Sequence, residues 1–180
     1  MIQDMTRRNL GKLAAGAAVA GSIALTASAQ AAPMGDDWFE MIKMQHREID
    51  RRLMAVKSAD THPGRVAAFK AFATYLSAHS LAEEVSVYPA IAIMGAEPDA
   101  KQLYHEQDDA EILVGRIDNA LAMHQDERVG PMLDTLAAAL HAHVAEEEGT
   151  KFPALKSATN PMMNAKLTQD FHATFARAVG

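Results

Sequence analysis

Two stretches of the chain follow one thirteen-residue pattern: "HSLAEEVSVYPAI" at residues 79–91 and "HVAEEEGTKFPAL" at residues 143–155. Each copy has a histidine, a glutamate pair that begins four residues later, and an aromatic residue nine after the histidine. Pro-Ala and then Ile or Leu complete each copy. The repetition predicts two equivalent structural elements that carry the same ionisable side chains.

Helical periodicity surrounds both copies, because apolar residues recur at spacings of three and four. The predicted helices run from Asp36 past Val56, from about Arg65 to Val87, from about Pro98 to His124, and from about Pro131 to Pro153, with a shorter segment from Met162 to Val179. Pro89 and Pro153 are expected to end the second and fourth helices. Short connections then predict an all-α fold over residues 36–180, an antiparallel up-down-up-down four-helix bundle with a short C-terminal fifth helix.

Composition excludes several classes of function. The chain has 180 residues, no cysteine and a formal net charge of −6. Disulfides, thiolate metal sites and thiol nucleophiles are therefore excluded. An acidic chain also lacks the basic face that binds phosphate backbones, so nucleic acid is not an expected partner.

Residues 1–31 form a separate segment. Arg7 and Arg8 precede a long Ala- and Gly-rich run that ends in "AQA" at residues 29–31. This order is typical of a signal peptide, and "TRRNLGK" resembles the twin-arginine export signal. We therefore expect recognition by the twin-arginine export machinery, a periplasmic or exported location, and no stable membrane insertion after the signal is removed. An uncleaved apolar anchor is the alternative.

Histidines fall on each of the four predicted helices, on or beside the apolar stripe: His46, His79, His105 and His143. One such histidine is usually a core residue whose ring nitrogens are hydrogen-bonded within the protein, but four of them, one on each helix, indicate a shared role. Glu83 and Glu147 follow two of these histidines at a spacing of four, which places each pair on one helical face. A carboxylate on a core face needs a positive partner, and a metal ion would supply it. Imidazole and carboxylate ligands without thiolates favour iron, manganese or zinc.

The pattern His46, His79-x-x-x-Glu83, His105 and His143-x-x-x-Glu147 resembles the hemerythrin-like cation-binding family over roughly residues 38–156. "EEVSVYP", "EEEGTKFP" and "QHREIDRRL" add to the resemblance. It implies a cofactor of two iron ions in a non-haem di-iron centre. His46 and His79 would serve one ion, His105 and His143 the other, and Glu83 and Glu147 would bridge.

Asp109 departs from this pattern, because dioxygen-carrying hemerythrins have a second histidine one turn after the first on the third helix. As a ligand, Asp109 would add negative charge and favour ferric iron. Asp109 could instead hydrogen-bond a ligand histidine, and Asp50 has the same ambiguity, with a solvent-facing or hydrogen-bonding place favoured. The predicted metal ligands are therefore His46, His79, Glu83, His105, Asp109, His143 and Glu147.

Other polar residues receive structural interpretations. Solvated faces are expected for Glu84, Glu146 and Glu148, and non-ligand positions for His62, His124, His141 and His172. Tyr88 and Phe152 are expected to be packing residues.

Three functions remain open at this stage: a di-iron enzyme that consumes peroxide or reacts with dioxygen, a protein that binds dioxygen or nitric oxide without turnover, and a metal-binding protein for iron storage or buffering. A purely structural role would leave the core histidines and glutamates unexplained. Dioxygen or a related small oxidant is the expected partner, and no feature of the sequence defines an organic substrate.

Overall fold

A computed structural model describes residues 37–180, which fold into helices throughout with no strand in that range. The predicted signal peptide at residues 1–31, with Arg7 and Arg8, lies outside the described residues. The helices are α1 (Trp38–Lys57), α2 (His62–Ala82), α3 (Tyr88–Ile93), α4 (Glu97–Ala122), α5 (Asp126–Glu146), α6 (Phe152–Ala158) and α7 (Pro161–Val179). Two π-helical turns, Glu83–Val87 and Glu147–Lys151, join α2 to α3 and α5 to α6.

Side-chain caps fix where three of the helices begin. The Asp37 carboxylate accepts from the backbone N–H groups of Phe39 and Glu40 at the start of α1. Thr61 caps α2, and Asn160 caps α7 by accepting from the backbone N–H of Met163. These oxygens satisfy N–H groups that have no partner within a helix.

The prediction that Pro89 and Pro153 end their helices was wrong. Each proline lies in the first turn of a short helix that continues from a π turn. In a π turn the N–H bonds the carbonyl five residues earlier, so Pro89 leaves the Glu84 carbonyl without a backbone donor. The Tyr104 hydroxyl donates to that carbonyl at 2.7 Å instead. Pro131 likewise lies inside α5, which begins five residues earlier than predicted.

The bundle interior consists of two apolar clusters. One packs Trp38, Met41 and Ile42 against α3, α6 and α7, and includes Leu103, Phe152, Leu167 and Phe171. The other packs α1, α2, α4 and α5 through Ile49, Leu53, Phe69, Phe72, Leu76, Ile117, Leu133, Leu136 and Leu140. Buried polar residues interrupt the stripe between the clusters, at His46 on α1, His79 on α2, Gln107 on α4 and His143 on α5.

The last helix packs along α2 and α1. The backbone N–H of Trp38 donates to Thr168 Oγ1, and its indole Nε1 donates to Asn164 Oδ1, both at 2.9 Å. Between residues 37 and 180, none of the helices has both the length and the apolar character that crossing a bilayer requires.

Candidate metal centre

Three imidazoles and two carboxylates meet between the two apolar clusters. Glu83 and Glu147 are completely buried, and His46, His79 and His143 are nearly so. Each carboxylate stands one turn after a histidine on the same helix, which brings His79 Nε2 to 3.3 Å from Glu83 Oε1 and His143 Nε2 to 3.2 Å from Glu147 Oε1. The two copies of the repeated phrase therefore face each other across the core.

All three imidazoles share one orientation, with Nδ1 turned outward and bonded at 2.8 Å to an oxygen acceptor. His46 Nδ1 pairs with Glu148 Oε1, His79 Nδ1 with Gln45 Oε1, and His143 Nδ1 with Glu106 Oε2. Such a bond fixes the proton on Nδ1 and directs the lone pair of Nε2 inward, where it can bind a metal ion. Histidines that bind metals are oriented in this way.

The inward atoms surround a small space. His46 Nε2 lies 3.2 Å from Glu147 Oε2 and 3.7 Å from Glu83 Oε1. None of these three atoms has a hydrogen-bond partner among the described residues. Buried polar atoms nearly always have a hydrogen-bond partner, so these atoms without partners are suited to bind a cation. Four ligands about 2.1 Å from one ion lie roughly 3.4 Å apart at tetrahedral angles, which matches the observed spacing.

Two overlapping sets of ligand atoms are close enough to hold a metal ion. One set is His46, His79 and Glu83, and the other is Glu83, His143 and Glu147. Glu83 belongs to both sets. The residues present therefore fit a bound metal ion.

The charges of the cluster compensate one another in the metal-free state. Burial opposes the protonated form of His46, but the close approach and the negative charges of the Glu147 and Glu83 carboxylates outweigh it and raise the pKa of His46 to about 10. The same balance, with Glu147 as the main partner, raises the pKa of His143 to about 9. Burial and the charge of His46 hold the pKa of His79 well below its ordinary value. Protons on two imidazoles thus stand where a metal would stand.

The two carboxylates differ from each other. Burial and the neighbouring charge of Glu147 raise the pKa of Glu83 to about 7. Burial also acts against the charged form of Glu147, yet the close approach of the His143 and His46 imidazoles outweighs it and lowers the pKa of Glu147. Glu147 is therefore the ionised partner of both protonated imidazoles.

The Tyr88 hydroxyl lies inside the cluster. It donates to Glu147 Oε1 at 2.7 Å, and Glu83 Oε2 and His143 Nε2 each lie at 3.2 Å. The π turn causes this placement. In an α-helix the fifth residue after Glu83 would point about 140° away, whereas the wider π turn brings it back to the same face. Gln107 Nε2 completes the arrangement by donating to Glu83 Oε2 at 2.7 Å and to the Tyr88 hydroxyl at 2.6 Å.

The structure brings together five of the seven predicted ligands, His46, His79, Glu83, His143 and Glu147. It does not bring His105 and Asp109 to the cluster, because both are exposed on the outer face of α4. The buried stripe of α4 instead contains Leu103, Gln107 and Ala110. The predicted facing of this helix was therefore wrong. Asp50 is exposed as well and bonds His141 Nε2 at 3.0 Å, away from the cluster.

Five polar residues of the site were not identified from the sequence: Gln45, Tyr88, Glu106, Gln107 and Glu148. Tyr88 was expected to be a packing residue, and Glu148 was assigned to a solvated face. One signal was present, since the two copies of the phrase differ at the aromatic position, where Tyr88 has a hydroxyl and Phe152 does not. A hydroxyl buried at the level of two carboxylates requires a partner.

A small cavity of ≈ 30 Å³ adjoins the cluster on the side of the second apolar cluster. The cavity is lined by polar residues of the cluster and its surroundings, namely His46, His79, Ser80, Glu106, Gln107, Glu111 and His143, and by the apolar residues Ile49, Leu76, Ala110, Ala139, Leu140 and Val144. This volume accommodates about one or two water-sized molecules. The space is therefore sized for a diatomic or similarly small molecule.

Comparison with known families gives one match, to the hemerythrin HHE cation binding domain, over residues 38–155. The matched range covers about two thirds of the chain and begins at the first residue of α1. It contains all the inward ligand atoms, Tyr88 and Gln107. Comparisons with curated proteins and with solved structures gave no significant match.

Proposed function

The chain belongs to the hemerythrin HHE cation-binding domain family, and on that premise we propose that it is a non-haem iron protein that binds or activates dioxygen or a related small oxidant, such as peroxide or nitric oxide. The observation that carries this proposal is the convergence of imidazole nitrogens and carboxylate oxygens without hydrogen-bond partners beside a cavity of ≈ 30 Å³.

Iron suits this set of ligands because imidazole and carboxylate donors without thiolates hold borderline and hard metals. His46, His79 and Glu83 would hold one ion, and Glu83, His143 and Glu147 a second. We propose up to two ions per chain. We also propose that the four long helices follow one another in up-down-up-down order. When bound, iron supplies electron exchange with the small oxidant.

The residues of the chain prepare the site in three ways. Glu148, Gln45 and Glu106 orient the imidazoles, so that all three Nε2 atoms point inward. The apolar wall of the cavity limits access to small molecules. Burial and the two carboxylates raise the pKa of Tyr88 well above its ordinary value, so its hydroxyl stays a hydrogen-bond donor to Glu147 beside the cavity.

Metal analysis combined with optical spectra of the purified protein tests this function. Spectra would be recorded after reduction with dithionite and again after exposure to air or peroxide. We expect iron and a reproducible spectral change with each oxidant. Zinc as the main metal after expression with adequate iron would contradict the proposal, and bound iron that shows no change with any oxidant would favour iron storage or buffering instead.

Export to the periplasm through the twin-arginine route belongs to the same proposal and is supported by the sequence of residues 1–31. Replacing Arg7 and Arg8 with lysine should leave the precursor in the cytoplasm, because the pair is recognised as an address and not as charge. Unchanged periplasmic yield would contradict this route.

A further inference from the structure

We propose that the two candidate ion positions are unequal: the position between His46 and His79 binds an ion tightly, while the Tyr88 hydroxyl occupies the position beside His143. The chain would then hold one tightly bound ion and take a second only when that hydroxyl is displaced. This inference rests on the proposed metal binding and concerns the number and order of the ions.

In the first position, no hydroxyl group of residues 37–180 bonds the ligand atoms. His46 Nε2, His79 Nε2 and Glu83 Oε1 would hold the ion, with 3.3 and 3.7 Å between Glu83 Oε1 and the two nitrogens, and Glu147 Oε2 lies 3.2 Å from His46 Nε2. Three of these four atoms have no hydrogen-bond partner among residues 37–180. A cation entering this position replaces the His46 proton but displaces no other side chain, and it compensates the two buried carboxylate oxygens that have no hydrogen-bond partner.

The second position is already filled by a hydroxyl group. Its ligand atoms would be His143 Nε2, Glu147 Oε1 and Glu83 Oε2, and each lies 2.7 to 3.2 Å from the Tyr88 hydroxyl. Glu83 Oε2 also accepts from Gln107 Nε2. An ion at this position must therefore displace a donor that already satisfies the same oxygens.

The hydroxyl is held firmly in this place. Tyr88 is completely buried, and its ring packs edge-on against Tyr104 with centroids 5.1 Å apart. Gln107 Nε2 donates to the hydroxyl at 2.6 Å. Moving the ring away would lose these hydrogen bonds and disturb a close-packed core. The second position also has fewer histidine ligands: His143 alone, with the neutral amide of Gln107 beside it, against His46 and His79 in the first position.

Anaerobic titration of the metal-free protein with Co²⁺, followed by visible absorption and by direct metal analysis, tests the inference. We expect two phases in the wild type, with the second ion bound at least about tenfold more weakly, a difference of about 1.4 kcal/mol. Tyr88→Phe removes the hydroxyl and keeps the ring, so the second phase should move to within about threefold of the first. Tyr104→Phe is the matched control, because its hydroxyl lies nearby but bonds only the Glu84 carbonyl, and it should retain both phases.

Gln107→His gives a second, independent variant if Tyr88→Phe fails to fold by circular dichroism. The new imidazole should tighten the second phase relative to the first. Two ions of equal affinity in the wild type would overturn the inference, as would an unchanged gap in both variants. These results would leave the proposed iron function intact, whereas a protein that binds no metal in any variant would overturn both.

Discussion

The two copies of the repeated phrase share one backbone but differ in what they add to the site. Each places a histidine and a glutamate on the buried face, widens into a π turn, and continues through a proline into a short helix. The first copy then supplies the Tyr88 hydroxyl to the cluster. The second supplies Phe152, which packs against Trp38 with ring centroids 5.5 Å apart.

The second glutamate of each pair shows the same divergence. Glu148 bonds Nδ1 of His46 at 2.8 Å. Glu84, at the matching place, lies near Glu111 and Asp108, and its pKa is raised by burial and by those two charges. The repeat therefore fixes the backbone and the inward ligands, while the residues of neighbouring helices determine the chemistry of each copy.

The largest expected effect separates the two buried carboxylates. Glu147→Ala should destabilise the metal-free protein by about 3–5 kcal/mol, since it leaves two protonated imidazoles without their shared partner. Glu83→Ala should cost less, because the pKa of Glu83 is raised to about 7 and it carries less charge near neutral pH. Urea unfolding measures both. Both variants should also lose metal, which elemental analysis measures.

Glu84→Ala is the control for both carboxylates and should be near neutral. Equal decreases in the free energy of unfolding for Glu83→Ala and Glu147→Ala would show that the two carboxylates are equivalent, contrary to the difference described above.

The pH dependence of the metal-free protein gives the next largest effect. His46 and His143 have pKa values raised from 6.5 to about 10 and about 9. Their contribution to stability is fully present below pH 6.5 and is lost as the pH rises through 9 to 10. The free energy of unfolding should fall by on the order of a few kcal/mol across this window, because each pKa unit is worth about 1.36 kcal/mol.

Metal affinity should change in the opposite direction, since the ligand imidazoles must lose these protons. Denaturant unfolding and metal titration at pH 6.5, 8 and 10 would measure the two trends. A metal-free stability that stays flat over this range would show that the imidazoles are not paired with the carboxylates as described.

A smaller effect sharpens the contrast between Glu148 and Glu84. Glu148→Gln weakens the acceptor that orients His46 and should lower metal affinity by about 10–100-fold. Glu84→Gln should leave affinity unchanged, because the three ligand histidines bond Glu148, Gln45 and Glu106 through Nδ1 and not Glu84. Competition with a chelator of known affinity measures both variants. Equal losses would place the two glutamates in equivalent surroundings.

The smallest effects are expected on the outer face of α4. Asp109→His and His105→Ala should change stability by no more than about 0.5 kcal/mol and leave metal content unchanged, since both residues are exposed. Thermal unfolding and elemental analysis check this. Loss of metal in either variant would show that α4 turns its other face to the site.

Much of the candidate site could be predicted from the repeated phrase alone. A histidine and a glutamate four residues apart share a helical face whatever the rest of the fold does, and the apolar residues at Leu76 and Leu140 turn that face inward. The helices α4 and α7 also begin and end within two residues of the predicted bounds, Pro98 to His124 and Met162 to Val179. These features depend on local spacing, which a sequence contains in full.

The facing of α4 could not be decided by spacing. His105, Asp109 and Ile112 repeat at the same intervals of four and three as Leu103, Gln107 and Ala110. The buried set contains an alanine and a glutamine, which give it little hydrophobicity in the sequence. The exposed set contains Ile112, which makes it look more apolar although Ile112 is 53% exposed. Packing of α4 against its neighbours makes the choice, and that information is not local.

The π turns were missed for a related reason. Proline is read from sequence as a helix terminator, and nothing in "EEVSVYP" indicates that the Tyr104 hydroxyl, on another helix, will satisfy the carbonyl that Pro89 leaves free. The position of Tyr88 in the cluster depends on this turn, so it could not be predicted once the helix was assumed to stop.

Each π turn adds one residue to a helix whose later residues keep the same facing. Val85, Gly149 and Thr150 are exposed, so a codon change there alters little that is buried. Loss of one of these codons would return the turn to ordinary α-helical winding and make Tyr88 or Phe152 the fourth residue after its glutamate, about 40° from it around the helix. Tyr88 or Phe152 would then keep its place in the core. Related genes should therefore tolerate substitutions at these exposed positions and also the loss of one codon there.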